Sequence, residues 1–226
     1  FTVALAVQPY WDKRVDSAEK ALDPVNYPGA RAFQGAQVPD VKPQPDPGLI
    51  AGVFPPIGLD DCMIFLPEAP DAMPGPDCTY GDLEAETTIV LAGGSHIEPF
   101  IVPLDKLGKE HHFKVATFVR QECPLVVGGP LDPANEIVSP ECAEWGENAM
   151  QEIINLQPDM LISTSTRPAG HAGDGRVSAD YVPDAYANLW QRLAELGIPF
   201  VGLRDNPWMF TPTGEPMDPN LCVVAG

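Results

Sequence analysis

From Thr87 onward, apolar residues fall into two alternating rhythms. Short continuous runs read as strands buried on both faces: Thr87 to Gly93, Phe113 to Val119, Met160 to Ser163 and Ile198 to Leu203. Between them, apolar residues recur at helical spacing. One such stretch carries Phe100, Leu104 and Leu107 and is expected to stop at Gly108. Pro99 fits a first helical turn there, and Pro103 should kink or shorten the helix. A second helix carries Trp145, Ala149, Met150, Ile153 and Ile154 on one face. The clearest is Asp184 to Leu196, where Tyr186, Leu189, Trp190, Leu193 and Leu196 share a face and Gly197 is placed to end it. Strands alternating with helices imply parallel β-α-β units and a three-layer α/β/α sandwich.

The first third of the chain follows neither rhythm. A short amphipathic pattern runs from Val15 to Leu22. From Tyr27-Pro28-Gly29-Ala30 onward, Pro39, Pro43, Pro45, Pro47, Pro55 and Pro56 forbid regular helix and most central strand. Yet Val53, Phe54, Ile57, Ile64, Phe65 and Leu66 need covering, and a disordered linker would be more polar. Residues 1–82 therefore read as an arm wrapped on a body formed by residues 83–226. A second Pro- and Asp-rich segment, Pro67 to Asp77, leads into that body, and two further long loops, Cys123 to Pro140 and Thr164 to Ala179, interrupt it. Phe1 to Val7 reads as the tail of a longer apolar or linker segment.

Composition narrows the functional classes. Asp and Glu number 32 against 13 Lys and Arg, a formal net charge of -19. That excludes nucleic acid and an anionic membrane surface as natural partners and favours a neutral or cationic substrate, or solubility alone. Five cysteines include no CxxC and no histidine at zinc spacing, so no metal is expected. Cys62 with Cys78, and Cys123 with Cys142, would each close a modest loop, a pattern that suits an oxidising compartment; Cys222 is left unpaired.

The chemistry centres on Gly93-Gly94-Ser95-His96, at the end of the first buried run. Glycines permit a tight turn there. A serine at a strand's carboxyl end, before a helix, lies where clefts form in open α/β sheets and where backbone N–H groups can hold an oxyanion. The plainer alternative makes Ser95 a helix N-cap.

The ordered set Tyr27-Pro28-Gly29-Ala30, Cys78-x-Tyr80-Gly81-Asp82, Gly93-Gly94-Ser95-His96, Glu122-Cys123-Pro124, Cys142-x-x-Trp145, Gln157-Pro158-Asp159, Gly197-Ile198-Pro199 and Arg204-Asp205-Asn206-Pro207 resembles a known domain. It is similar to the extracytoplasmic SGNH-hydrolase-like domain at the C-terminus of acyltransferase family 3 membrane proteins, of the actinobacterial type. The resemblance runs from about Tyr27 to Cys222. It implies a flavodoxin-like parallel sheet, no cofactor, and an O-acyltransferase on the outer face of the plasma membrane, in the cell envelope. A membrane acyltransferase domain fused N-terminally would deliver the acyl group, usually acetyl. Ser95 would carry it as nucleophile to a hydroxyl of an envelope glycan or glycolipid. A secreted carbohydrate esterase with the same serine, and a non-catalytic glycan- or lipid-binding module, are the alternatives.

Two departures qualify the resemblance. The family's serine block is commonly Gly-Asp-Ser, and here Gly94 precedes Ser95. Gly-Gly-Ser occurs in similar members of the subgroup, so the change implies variation. The family's base comes from an Asp-x-x-His motif near the C-terminus, and no such motif occurs in this sequence. The base, with a partner for Cys222, is accordingly expected beyond Gly226. His96 points elsewhere in the family, and His111 and His112 start a strand on the surface. His171, in a Gly-rich loop after a strand, is a substitute base or simply an exposed loop residue. Asp205 ends a strand on the same sheet edge, as a catalytic acid or as a structural acceptor of backbone N–H groups. Gly94 and Ser165 are the oxyanion candidates, because no asparagine stands at the third block. Arg167 and Trp208 are candidates to line the acceptor groove, with packing as the alternative.

The polypeptide of 226 residues is expected to turn over p-nitrophenyl acetate slowly. Rapid, Ser95-dependent hydrolysis would place the base inside this sequence.

Overall fold

The computed structural model describes residues 23–42, 44, 54–66, 68–128, 138–168 and 180–206. The expected Val15–Leu22 helix, His171, Trp208 and Cys222 lie outside the described residues. Contacts divide the chain into two compact units, 1–54 and 55–226. In the first, Gly29–Gln34 forms a 3-10 helix closed by Gly35 at φ 89°. The Asp23 carboxylate accepts from the N–H groups of Val25 and Asn26, and the Tyr27 hydroxyl donates to the Lys42 carbonyl.

The second unit is built on a six-stranded sheet. Its central strand is β3 (Thr88–Gly93), flanked in parallel by β4 (Lys114–Arg120) and β5 (Met160–Thr164), with β8 (Phe200–Leu203) parallel beyond β5. Strands β1 (Met63–Ile64) and β2 (Thr79–Gly81) share the outer edge of β4. β1 runs parallel to its C-terminal end and β2 antiparallel to its N-terminal half. Thr117 lies at the join, where its N–H and hydroxyl both donate to the Cys78 carbonyl. The Cys62–Cys78 disulfide ties the starts of β1 and β2 together. Residues 55–82 therefore belong to the α/β unit, so the expected boundary at residue 82 falls inside it.

Successive strand residues serve opposite faces. Ile89, Leu91, Val115, Val119 and Ile162 pack with Ile97 and Ile101 on one side. Val90, Ala92, Ala116 and Leu161 pack on the other with Trp145, Met150, Tyr186 and Leu189. The first side is covered by α1 (Pro56–Leu59) and α2 (Ile101–His111). The second is covered by α3 (Pro140–Leu156) and α4 (Asp184–Leu196). This is the expected three-layer arrangement. A two-residue pair, β6 (Arg167–Pro168) and β7 (Asp180–Tyr181), follows β5.

Local chemistry sets the helix ends. Ser139 caps α3 by accepting from the Cys142 N–H at 3.2 Å, and Pro140 supplies the first helical φ. Gly197 ends α4 at φ 70°. Pro103 is the third residue of α2, in the first turn, where a proline's missing N–H costs no intrahelical bond. Gly108 does not stop α2; His112 does, at φ 59°. Gly108 is there for contact. A Cβ on it would stand 2.5 Å from the Phe113 carbonyl oxygen and 2.8 Å from the Gly81 Cα.

Two features were not legible beforehand. Arg120 is fully buried and donates to the carbonyls of Ala69 and Glu68, pinning the segment between β1 and β2 onto β4. Residues Leu125–Val127 are buried without regular structure, and a Cβ on Gly146 of α3 would come within 2.1 Å of the Val126 oxygen. The Cys123–Cys142 disulfide staples the same contact.

Gly108→Ala should destabilise the protein by about 2–3 kcal/mol through overpacking, although alanine is the better helix former by about 1 kcal/mol. Urea denaturation reads the balance; a stabilised variant would show that α2 does not depend on this approach.

Candidate active site

The chain visits β4 on one side of β3 and then β5 on the other. The point where the order reverses, at the carboxyl ends of these strands, is where open α/β sheets bind ligands. The turn after β3 sits there. Gly93 closes the strand at φ 145°, which side-chain-bearing residues rarely adopt. The Ile97 N–H then donates to the Gly94 carbonyl at 3.0 Å, placing Ser95 and His96 at the corners of a tight turn. Ser95 is half-buried. It is not an N-cap: the following 3-10 turn, Glu98–Phe100, starts from Ile97 with no side-chain cap.

The turn is held from two sides. Behind Gly94 lies the Cys123 backbone, whose carbonyl oxygen would stand 3.3 Å from a Cβ at this position. Glycine at this position is thus matched by a close backbone neighbour. On the other side, the His96 Nδ1 lies 2.6 Å from Asp205 Oδ1. The two residues are 109 positions apart. The Asp205 side chain is 3% exposed and the imidazole 32%. The same carboxylate oxygen accepts the Asn206 N–H at 2.8 Å. The Asn206 side-chain amide reaches back to the His96 carbonyl at 3.4 Å. The Asp205 N–H donates to the Thr166 hydroxyl oxygen at 3.0 Å, and that hydroxyl donates to Asp180. Arg204 pairs with Asp180 and holds its carboxyl below the usual aspartate range. A serine on a strand-end turn, beside a histidine gripped by a buried aspartate, can be matched with known families. The model of the SGNH domain that is fused to AT3 domains matches residues 62–224.

The chain belongs to this SGNH-domain family.

No curated protein and no solved structure matches it. Membership makes the chain an enzyme of the esterase or acyltransferase kind. In the SGNH domain, Ser95, Gly94, Ser165, Arg167 and Asp205 all come to the carboxyl edge of the sheet, at the ends of β3, β5 and β8. They are not all aimed at one place. The Ser165 N–H and hydroxyl both donate to the Leu203 carbonyl, at 2.7 and 3.0 Å. Both donors of this oxyanion candidate are thereby committed to joining β5 to β8. Arg167 is half-buried and bonds to the hydroxyl of Tyr186, whose own proton is held more tightly because of burial. His111 and His112 are exposed at the opposite end of the sheet, where His112 pairs with Asp82. Among the described residues, no three His, Cys, Asp or Glu side chains are grouped to hold a metal, and no helix is long and apolar enough to cross a membrane.

Two site residues were missed from sequence. Setting His96 aside overlooked its pairing with Asp205. The available signal was that both follow buried runs at the same sheet edge. Ser163, next to last in β5, is buried, and its hydroxyl has no hydrogen-bond partner among the described residues. It would lie 3.4 Å from a Cβ on Gly93, directly against the start of the Ser95 turn.

Glu98, three residues after Ser95, accepts the Gly58 N–H from α1 at 3.1 Å. Burial nevertheless outweighs this bond and raises its carboxyl above the ordinary 4.5. The folded state therefore binds this proton more tightly than the unfolded chain does. Stability falls as pH rises through the window above about 4.5, and the deficit persists at neutral pH. Glu98→Gln keeps an oxygen for Gly58 and carries no charge. Its melting temperature, relative to the parent, should be higher at about pH 7 than at about pH 4. A difference independent of pH would sink this account.

Proposed function

We propose that the chain is the O-acyltransferase domain of an envelope-modifying enzyme, working through an acyl-Ser95 intermediate. The observation that carries this reading is the position of Ser95: a half-buried corner of the turn ending the central strand, at the topological switch point, in a family of esterases and acyltransferases.

The reaction balances in two halves. The Ser95 oxygen attacks the donor's acyl carbon, the donor's bond to that carbon breaks, and the serine proton leaves with the departing group. The acceptor hydroxyl then attacks the acyl-serine, its proton passes to the Ser95 oxygen, and the ester is released on the acceptor. Each tetrahedral intermediate carries an oxyanion that needs N–H donors in place before the charge forms. The backbone N–H groups of Gly94 and Ser95 at the turn are the groups assigned to it. The transfer is to a hydroxyl of an envelope glycan or glycolipid, and the acyl group is acetyl or another short chain. Its donor is a fused N-terminal membrane acyltransferase domain, in keeping with the AT3 fusion in the family's description. Two disulfides accord with a place on the extracytoplasmic face of the plasma membrane. The acidic surface suits an uncharged acceptor.

In the full-length protein, Ser95→Ala should abolish acyl transfer while leaving the melting temperature within a few degrees of the parent. Mass spectrometry of the parent after mixing with donor should find the acyl group on the peptide containing Ser95. Transfer that survives the substitution would remove Ser95 as nucleophile.

A further inference from the structure

We infer that Asp205 is a positioning residue that acts through His96 to hold the Ser95 turn in its reactive geometry. The inference rests on the reading of Ser95 as nucleophile. It assigns Asp205 no contact with substrate and makes it a brace for the residue that follows the serine.

Asp205 is nearly fully buried, and its Oδ1 accepts from both the Asn206 N–H and His96 Nδ1. A carboxylate only accepts, so the hydrogen shared with the imidazole lies on Nδ1. That fixes the tautomer and the ring plane together. Asn206 holds the same residue at its other end, through the His96 carbonyl. Two adjacent residues beyond β8 thus grip both the ring and the backbone of the residue beyond Ser95.

The grip spans the sheet. His96 follows β3 and Asp205 follows β8, with β5 between them. Asp205 is itself fixed from below, because Thr166, just beyond β5, accepts its N–H and is held by Asp180. The opposite flank of the turn rests on the Cys123 backbone. A five-residue segment ending a strand would ordinarily have several accessible geometries, and these contacts reduce them. A misplacement of about 1 Å in a reacting group costs about a hundredfold in rate. A brace that removes such freedom is therefore expressed in kcat more than in substrate binding.

The test uses the full-length enzyme and compares Asp205→Asn, His96→Ala and the double variant in steady-state acyl transfer. Asp205→Asn should lower kcat about a hundredfold with KM changed less than about twofold. On the His96→Ala background, the same substitution should add less than about a twofold loss, because its effect runs through the missing imidazole. Nitrogen NMR of the imidazole should show Nδ1–H in the parent and lose that signature in Asp205→Asn. A parent-like kcat in Asp205→Asn, or losses that multiply in the double variant, overturns the inference. So does a parent imidazole without hydrogen on Nδ1. Should Asp205→Asn fail to fold, His96→Ala decides, and full kcat there also overturns the inference. Ser95→Ala is run alongside. If it is inactive while Asp205→Asn is unimpaired, only the bracing role falls. If Ser95→Ala is active, the nucleophile reading falls as well.

Discussion

The close approach of backbone to the Gly93-Gly94 turn is the constraint on which the rest of the site depends. The central strand must end abruptly between two parallel neighbours. A side chain on Gly93 is opposed by its φ of 145°, and one on Gly94 by the Cys123 carbonyl at 3.3 Å. The tight reversal leaves Ser95 at a corner, with Ile97 back in the core. The strand beneath the turn is packed between the two apolar layers, with Val90, Leu91 and Ala92 fully buried.

Around that turn, packing and polar bonding divide the labour. The sheet and its helices bring the ends of β3, β5 and β8 to one edge, but apolar contact is non-directional and does not fix side-chain orientation there. Orientation comes from part-buried hydrogen bonds: Thr166 to Asp180, Asp205 to Thr166, His96 to Asp205, and Ser165 to Leu203. Such networks are strong when complete and costly when broken. The Ser163 hydroxyl, buried beside Gly93 without a partner among the described residues, is the exception in this group.

What could be read from sequence followed range. β3 and α4 announce themselves by local periodicity, and α4 was bounded correctly because its last apolar residue, Leu196, is followed at once by a glycine. The two disulfides were also legible, since short loops between neighbouring cysteines leave few pairings. Gly108 misled because a glycine at the end of a pattern signals equally a stop and a close contact, and only the position of Gly81 decides between them. The boundary at residue 82 misled because two- and three-residue strands such as β1 and β2 are too short for alternation to show. The link from His96 to Asp205 has no local signature at all, because its geometry is a product of the strand order.

Cys123 has two roles that are easily seen apart. Its carbonyl backs the Ser95 turn, and its sulfur is bonded to Cys142 in the first turn of α3. One residue thus joins the turn at the end of the central strand to the helix that covers the second face of the sheet, by a backbone approach on one side and a covalent bond on the other.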